Sequence, residues 1–340
     1  MSIAAAVSTG SLTRVHVVGG GAWGTTLAIL ASRTAPDVVL VVRDADTASF
    51  LATHRRHPRS RPEMAIPGAI RFEHLGDHTI AGSEAVVLAI PVQAMRQVLS
   101  GIASALSGKP LLSAGKGIEM ATLQRPSEII RSVVGESNAL AVLSGPNLSS
   151  EIAAGQPAST VVASENVSVA KSLSTIVHSD VFRTYLSTDV AGVEFGGALK
   201  NIIAIGAGIA DGLGAGDNAK AALVTRGLAE IARLGVAFGA DPLTFAGLSG
   251  MGDLIATCAS PLSRNHQVGF RLAMGETVDE ILATMTGTAE GIATTRAAVD
   301  LAARAGVEMP IASQMHRVLF GRVPPGDAIA ELMRREQGPE

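Results

Sequence analysis

The sequence is poor in cysteine and in aromatic residues, and it carries no excess of positive charge. Its single cysteine, Cys258, excludes an intrachain disulfide framework and a cysteine-based zinc cluster. A chain without disulfides suits a reducing compartment, so we expect a cytoplasmic location. The net charge of −3 over 340 residues argues against a general nucleic-acid-binding protein.

Several function classes lack their sequence signals. No run of about 20 apolar residues is present, so no membrane span is expected. Residues 1–11 lack a basic stretch followed by a sustained apolar one, so no signal peptide is predicted. The eight histidines form no His-Glu-x-x-His motif and no close pair on a helix face, so no metal site is predicted. The Gly-x-Ser-x-Gly motif of serine hydrolases is absent as well.

The first half of the chain alternates short apolar runs with helical patterns. Runs rich in Val, Leu and Ile predict buried strands at residues 15–18, 38–42, 85–90, 110–113 and 139–143. Two further runs, at residues 161–163 and 182–185, are candidates for later strands of the same sheet. Alternating strands and helices require crossover connections, which predict the α/β class with a Rossmann-type, doubly wound parallel sheet.

From about Asp189 the pattern changes. Long helical patterns follow with few β-branched clusters, at residues 189–210, 219–238, 263–274, 288–305 and 310–320. The length allows about two domains. We therefore predict a Rossmann-type domain over residues 1–188 and an all-helical domain over residues 189–340. The glycine-rich stretch from Gly206 to Gly216 is expected to be a flexible connection between helices.

A glycine-rich motif follows the first predicted strand. It has the spacing Gly-x-Gly-x-x-Gly and comprises Gly19, Gly20, Gly21, Ala22, Trp23 and Gly24. Its place between a strand and a helix favours dinucleotide binding, because glycines let the backbone approach a pyrophosphate at the helix N-terminus. A glycine turn without a ligand is the alternative. Trp23, the only tryptophan, is expected either against the cofactor or at the edge of the sheet.

Two adjacent residues after the second strand bear on the choice of cofactor. Asp44 is suited to bind the ribose 2′-hydroxyl of NAD, whereas Arg43 is suited to pair with the 2′-phosphate of NADP. The basic loop from His54 to Arg61 adds positive charge nearby, although a solvated loop is the simpler explanation of it. These residues favour NADP as the cofactor without excluding NAD.

Polar residues in an apolar helix point to a catalytic centre. Lys200 and Asn201 interrupt a predicted helix that is apolar almost all round and therefore buried. A buried lysine is unfavourable unless it is paired, and its pKa can move toward neutrality, which suits a general acid or base. A lysine that reaches solvent with its ammonium group is the alternative. Glycines at positions 192, 196 and 197 allow close approach of another backbone or a substrate, which favours the catalytic role.

Other polar groups fall at positions where ligands bind. Asp253 precedes an apolar helix, where it either caps the helix or orients a nearby lysine. Arg264 follows Ser263 at another helix start, which suits a phosphate or carboxylate site as well as an ordinary cap with a surface arginine. The segments 114–117 and 144–147 follow predicted strands, and open α/β sheets bind ligands at the carboxyl ends of their strands.

Taken in order, these segments resemble the bacterial soluble NAD(P)-dependent glycerol-3-phosphate dehydrogenases over nearly the whole chain. The matching segments are residues 19–25, 114–117, 143–146, 197–201, 250–254, 263–265 and 289–291, with further similarity at 201–208 and 225–230. Each motif alone is common, whereas the ordered set is specific. The resemblance implies reversible reduction of dihydroxyacetone phosphate to sn-glycerol 3-phosphate for glycerophospholipid synthesis, carried out by a homodimer.

The resemblance also implies roles for individual residues. Lys200 would donate and accept the proton on the C2 oxygen of the substrate, in a catalytic centre with Lys116, Asp253 and Asn201. The substrate site would comprise Lys116, Gly145, Asn147, Lys200, Asp253, Ser263, Arg264 and Asn265. The cofactor site would comprise the glycine loop together with Arg43, Lys116, Ser149, Arg264, Thr288 and Glu290.

The sequence departs from the family pattern at three of these positions. Ala22 stands where serine is frequent, Asn147 where serine or threonine is frequent, and Thr288 where valine is common. The loop from His54 to Pro67 also matches poorly. Two alternatives stay open: a related two-domain dehydrogenase acting on a 2-hydroxy acid or ketopantoate, and a non-catalytic NAD(P) sensor.

Overall fold

An eight-stranded sheet forms the first half of the chain in the computed structural model, which describes residues 12–56, 64–76, 79–285 and 287–334. The strands are β1 Arg14–Val18, β2 Asp37–Val42, β3 Ile70–His74, β4 Ala85–Leu88, β5 Leu111–Ser113, β6 Leu140–Ser144, β7 Ala158–Ala163 and β8 Phe182–Ser187. Their order across the sheet is β3-β2-β1-β4-β5-β6-β7-β8. The predicted α/β class with a Rossmann-type sheet is confirmed.

Apolar side chains on both faces explain why these short runs form central strands. Val15 and Val17 pack on one face together with Leu27, whereas Val18 and Val39 pack on the other face. Crossover helices cover both faces of a parallel sheet, so its strands are apolar without alternation. The helices of this half are α1 Ala22–Ala31, α2 Ala45–His54, α3 Val92–Leu106, α4 Pro126–Val134, α5 Ser149–Ala153 and α6 Val167–Ser174.

All seven predicted strand runs coincide with observed strands, and two features of the sheet differ from prediction. The pattern misses β3, because Arg71, Glu73 and His74 make it partly exposed and polar. The sheet is also not all parallel, since β7 runs antiparallel to β6. The only helix between them, α5, has five residues and rises ~7.5 Å, too little to return along a strand of ~17 Å. The chain therefore re-enters the sheet at the edge where β6 ends.

Helices make up the second half of the chain. They are α7 Val190–Gly212, α8 Asp217–Ala237, α9 Asp253–Ala259, α10 Arg264–Ala273, α11 Val278–Thr284, α12 Glu290–Ala305, α13 Pro310–Gly321 and α14 Pro325–Met333. A 3-10 turn, Pro242–Ala246, and a π-helical turn, Leu248–Gly252, precede α9. The predicted helices correspond to α7, α8, α10, α12 and α13. The apolar helix expected next to Asp253 corresponds to α9. The sequence patterns miss α11 and α14, which are short at 7 and 9 residues.

The central helix of this half is α7. Its residues from Gly192 to Ala210 are buried, and it packs against α8, α9, α10 and α12. Helix α7 is long and apolar enough to cross a membrane. Its apolar 18-residue segment, however, is completely buried inside the protein. Its apolar character is therefore explained by its place in the core.

Two glycines let α7 and α10 cross at backbone contact distance. A Cβ atom at Gly208 would lie 2.0 Å from the carbonyl oxygen of His266, and one at Gly269 would lie 1.9 Å from that of Ile205. The expected flexible connection over Gly206–Gly216 is therefore wrong for most of its length. Helix α7 continues to Gly212, and only residues 213–216 connect it to α8.

The change from sheet to helices falls between the end of β8 at Ser187 and the start of α7 at Val190. The division into domains 1–188 and 189–340 stays a prediction. The N-terminal segment 1–11 and residues 57–61 of the basic loop lie outside the described residues.

Candidate active site

The glycine loop connects β1 to α1 and depends on glycine at two positions. Gly19 has a φ of +122°, and a Cβ there would lie 2.2 Å from the carbonyl oxygen of Ala89. A Cβ at Gly24 would lie 1.8 Å from the carbonyl oxygen of Gly19. Gly21, the N-cap of α1, faces open space: its Cβ would have no atom within 4 Å, and no side chain caps the helix. An exposed, uncapped helix N-terminus fits the phosphates of a dinucleotide.

Trp23 lies in the first turn of α1 and packs against the core beneath the sheet. Its indole Nε1 is buried without a hydrogen-bond partner among the described residues. Ser149 lies close to the same helix, because its carbonyl oxygen accepts a hydrogen bond from Thr26 Oγ1 at 3.1 Å. Ser149 therefore lies beside the second turn of α1, the helix that the glycine loop begins.

Arg43 and Asp44 differ in their hydrogen bonds and in their exposure. The Asp44 carboxylate caps α2 by accepting a hydrogen bond from the backbone N–H of Thr47 at 2.8 Å. The Arg43 side chain is 84% exposed, and its Nε lies 3.9 Å from the Asp44 carboxylate. Arg43 is thus the more available of the two for a ligand at the carboxyl end of β2.

Lys116 reaches from the loop after β5 to groups on two other elements. Its Nζ donates a hydrogen bond to the carbonyl oxygen of Gly145 at 2.9 Å and to Asp253 Oδ2 at 2.7 Å. Gly145 follows β6, so the ends of two neighbouring strands meet here, as expected for an open α/β sheet. Asp253, the first residue of α9, is 1% exposed. Its carboxylate pairs with lysine rather than capping the helix.

Lys200 approaches the other oxygen of the same carboxylate from α7. Its Nζ donates to Asp253 Oδ1 and to Thr257 Oγ1, the latter at 2.6 Å. The Lys200 side chain is only 9% exposed, so it does not reach solvent as a surface lysine would. Asp253 therefore bridges Lys116 and Lys200.

The two glycines before Lys200 make this approach possible. A Cβ at Gly197 would lie 2.2 Å from Ser144 Oγ and 3.5 Å from Lys116 Cδ. A Cβ at Gly196 would lie 2.4 Å from the carbonyl oxygen of Ser249. Glycine at these positions lets α7 pack directly against the end of β6 and the π-helical turn.

Burial and the neighbouring cation lower the pKa of Lys116 to about 8. Burial is the larger cause, the charge of Lys200 adds to it, and Asp253 opposes both. Two ammonium groups share one carboxylate, so the centre has a net positive charge when both lysines are protonated. Such a centre stabilises negative charge that develops on a substrate oxygen.

Asn201 and Asn265 form a separate network. Asn265 Nδ2 donates to Asn201 Oδ1 at 2.8 Å, and Asn265 Oδ1 accepts from the backbone N–H of Gly291 at 3.0 Å. This network joins α7, α10 and the first turn of α12. The structure thus brings Asn201 to Asn265 rather than into hydrogen bonds with the lysine pair. Ser263 caps α10 by accepting a hydrogen bond from His266 at 3.3 Å.

Arg264 and Glu290 lie at the starts of α10 and α12. The guanidinium lies against Gly287, where a Cβ would be 2.3 Å from Arg264 Nη1. Arg264 forms no hydrogen bond or ion pair with another described residue, although the charge of Glu290 acts on it. Glu290 Oε2 is buried without a described hydrogen-bond partner. Burial raises the pKa of Glu290 to about 7, against the effects of the Val92 backbone and Arg264. Both side chains keep bonding capacity for a ligand.

Two other predicted site residues, Asn147 and Thr288, differ in their surroundings. Asn147 donates to Thr160 Oγ1 at 3.1 Å, and its Oδ1 is buried without a described hydrogen-bond partner. Thr288 lies in the exposed segment before α12, next to Gly287. Among the described residues, no group of three or more His, Cys, Asp and Glu side chains could hold a metal ion.

Sequence reasoning missed Thr257, which binds Lys200. Thr257 lies four residues after Asp253, so both side chains occupy one face of α9. Helical spacing from Asp253 would have identified it. The contact partner of Asn265 could not be identified in this way, because Asn201 lies on a different helix.

Comparison with known proteins gives a consistent result over the whole length. The family model for the N-terminus of NAD-dependent glycerol-3-phosphate dehydrogenase matches residues 14–170, and the model for its C-terminus matches residues 189–330. The glycerol-3-phosphate dehydrogenase (NAD(P)+) of Frankia casuarinae is 45% identical over 331 residues, which are 97% of this chain and 98% of that protein.

A second relative and a solved structure agree with this result. The glycerol-3-phosphate dehydrogenase (NAD(P)+) of Prosthecochloris aestuarii is 42% identical, with 96% of this chain and 99% of that protein covered. The crystal structure of glycerol-3-phosphate dehydrogenase from Coxiella burnetii superposes with a TM-score of 0.91 at 32% identity. That match covers 96% of this chain and 100% of the other.

Proposed function

The chain belongs to the NAD-dependent glycerol-3-phosphate dehydrogenase family, and from this premise we propose that it reduces dihydroxyacetone phosphate to sn-glycerol 3-phosphate reversibly. It is an NAD(P)-dependent oxidoreductase of that family. The single observation that carries the proposed mechanism is the Asp253 carboxylate shared by Lys116 and Lys200. The product would feed glycerophospholipid synthesis.

The mechanism assigns Lys200 to the C2 oxygen of the substrate. The glycine loop and the N-terminus of α1 would hold the pyrophosphate of a nicotinamide cofactor, which when bound would supply a hydride to the carbonyl carbon of the substrate. Negative charge then grows on the C2 oxygen, where the Lys200 ammonium group stabilises it and donates a proton. Asp253 and Thr257 orient Lys200. Lys116, held by Gly145 and Asp253, adds positive charge on the substrate side.

The first test is a direct assay with dihydroxyacetone phosphate, in which NADPH and NADH absorbance are followed in parallel. We expect oxidation of both, with NADPH favoured, because Arg43 is exposed whereas Asp44 caps α2. Arg43→Ala should raise the KM for NADPH by about ten-fold and leave that for NADH within about two-fold. Oxidation of neither cofactor despite intact cofactor binding would favour a hydroxy-acid substrate or a sensor.

A second test concerns the phosphate of the substrate. We propose that Arg264, Ser263, Asn265 and the N-terminus of α10 bind it, and that Arg264 and Glu290 also contact the cofactor. Arg264→Ala should raise the KM for dihydroxyacetone phosphate at least about ten-fold, because a hydrogen bond to a charged group contributes about 1.5–3 kcal/mol.

A matched control lies on the same helix. Arg271 pairs with Glu276 at the end of α10, so Arg271→Ala removes the same charge away from the site. Steady-state kinetics should show an unchanged KM for Arg271→Ala. An unchanged KM for Arg264→Ala would refute its role in phosphate binding.

We also propose two domains, 1–188 and 189–340, with the substrate bound in the cleft between them, and a cytoplasmic homodimer. The ordered change from sheet to helices at Ser187–Val190 supports the division. Sedimentation velocity of the purified chain measures the oligomeric state directly.

A further inference from the structure

A buried carboxylate, Glu194, links α7 to the N-terminus of α4. Glu194 Oε1 accepts a hydrogen bond from the backbone N–H of Ser127 at 2.7 Å. Glu194 Oε2 accepts from Ser127 Oγ at 2.6 Å and from Arg125 Nη1 at 2.9 Å. The Glu194 side chain is 3% exposed. The proposed chemistry makes no use of this carboxylate, which lies six residues before Lys200 on the same helix.

The N-cap residue of helix α4 provides no side-chain acceptor, and within the helix Glu128 accepts only from the backbone N–H of that residue at 2.8 Å and from its guanidinium. This N-cap residue is Arg125, whose guanidinium carries donors only. A helix usually obtains this acceptor from a Ser, Thr, Asp or Asn at the N-cap. Here Glu194 supplies the oxygen from the helical half of the chain. The Arg125 guanidinium also lies 5.5 Å from the ring centre of Phe195, so two consecutive residues of α7 hold the same end of α4.

A requirement for one fixed orientation explains this contact better than stability alone. Burial raises the pKa of Glu194, and the Arg125 charge and the Ser127 hydrogen bonds oppose that rise. Apolar side chains of similar size often join two surfaces at least as strongly as a buried ion pair does. An ion pair with three directed hydrogen bonds, in contrast, allows a single arrangement of donors and acceptor.

The segment that ends at Arg125, and that Glu194 therefore contacts, also carries Lys116. Residues 114–125 run from the end of β5 to the start of α4. Near one end Lys116 binds Asp253 and Gly145, and at the other end Arg125 binds Glu194. Between these points Ile118 packs in the core of the helical half. Lys116 and Lys200 therefore reach Asp253 from different halves of the chain, and Glu194 lies at a second junction between those halves.

We propose that Glu194 is a positioning residue, which holds residues 114–125 against α7 so that Lys116 and Lys200 meet at Asp253. The kinetic consequence of this inference rests on the proposed reduction of dihydroxyacetone phosphate. Its structural consequence does not, because the position of Lys116 can be measured without substrate.

The test compares Glu194→Gln with Glu128→Gln. Glu128 binds the same guanidinium at 2.9 Å but lies on α4 itself. Its substitution therefore removes an equal charge and keeps the contacts between α4 and α7. The first readout is acetylation of Lys116 by acetic anhydride, followed by peptide mass spectrometry. We expect the labelling rate of Lys116 to rise at least about five-fold in Glu194→Gln and to stay unchanged in Glu128→Gln.

The second readout is steady-state kinetics. In Glu194→Gln we expect kcat to fall at least about ten-fold, with the Kd for NADPH within about two-fold of wild type. If Glu194 acts through Lys116, the same substitution in a Lys116→Met background should lower the residual kcat by less than about two-fold. Independent, additive losses would indicate a general structural role and overturn the proposal.

Further outcomes distinguish a failure of the positioning role of Glu194 from a failure of the proposed function. An active wild type with unchanged kinetics and unchanged Lys116 labelling in Glu194→Gln would overturn the positioning role and leave the proposed function intact. An inactive wild type would overturn the proposed function, and Lys116 labelling would still decide the positioning role. If Glu194→Gln does not fold, Ser127→Ala removes one of the three hydrogen bonds. Its Lys116 labelling should rise about two-fold, and no rise would refute the proposal.

Discussion

Lys200→Ala is expected to lower kcat for dihydroxyacetone phosphate about a thousand-fold, within the ~10²–10⁴-fold that a positioned proton donor contributes. Alanine can neither donate the proton that the C2 oxygen requires nor offset the negative charge that grows there. The Kd for NADPH should stay within about three-fold, because the glycine loop lies in the other half of the chain. NADPH absorbance measures the first quantity and fluorescence titration the second.

Lys220→Ala is the matched control for this variant. Lys220 also pairs with an aspartate, Asp211, but lies on the surface of α8. Its substitution should leave kcat unchanged. A kcat for Lys200→Ala within ten-fold of wild type would assign the proton transfer to another group. Equal losses of turnover and cofactor binding would indicate misfolding instead.

Asp253→Asn is expected to destabilise the protein by about 3–5 kcal/mol at pH 7, because it leaves two buried ammonium groups without their shared carboxylate. It should also lower kcat about a hundred-fold, since Lys200 loses its orienting partner. Urea denaturation measures the first effect and NADPH absorbance the second. Glu136→Gln removes a carboxylate from an exposed pair with Arg131 and should change stability by less than about 1 kcal/mol.

The stability of Asp253→Asn should recover as the pH rises. An unfolded lysine has a pKa of about 10.4, whereas the folded value of Lys116 is already about 8 in the presence of Asp253. Between these two values the unfolded state binds more protons, so stability rises with pH in the wild type. Without Asp253 the folded pKa is lower still, and the rise begins at lower pH. Denaturation at pH 7 and pH 9 should therefore show a smaller difference from wild type at pH 9.

The sequence was most informative where local pattern and chemistry coincide. The strand runs at residues 38–42 and 85–90 follow from unbroken apolar stretches, which only a sheet covered on both faces can bury. Lys200 stood out because a charged side chain within an apolar helix requires a partner. The polar edge strand β3 and the antiparallel direction of β7 were not predicted, because partial exposure and a short connecting helix leave no periodic signal.

The partners of the charged residues came only from tertiary structure. Lys116 and Asp253 are 137 positions apart, and Lys200 and Asp253 are 53 apart, so no local spacing indicates that one carboxylate serves both lysines. The same holds for Glu194 and Ser127, which lie 67 positions apart. Residues so far apart in the sequence come into contact only when whole helices pack against the sheet.

The sequence by itself determined most of the element types, the glycine loop and the residue types of the centre, since these depend on periodicity, backbone freedom and burial preference. It also indicated that glycines 196 and 197 permit a close approach. Only the tertiary structure decided what approaches them, which is Ser249 for one and Ser144 with Lys116 for the other. Which groups become partners depends on how the sheet and α7 pack together, and that packing is a property of the folded chain as a whole.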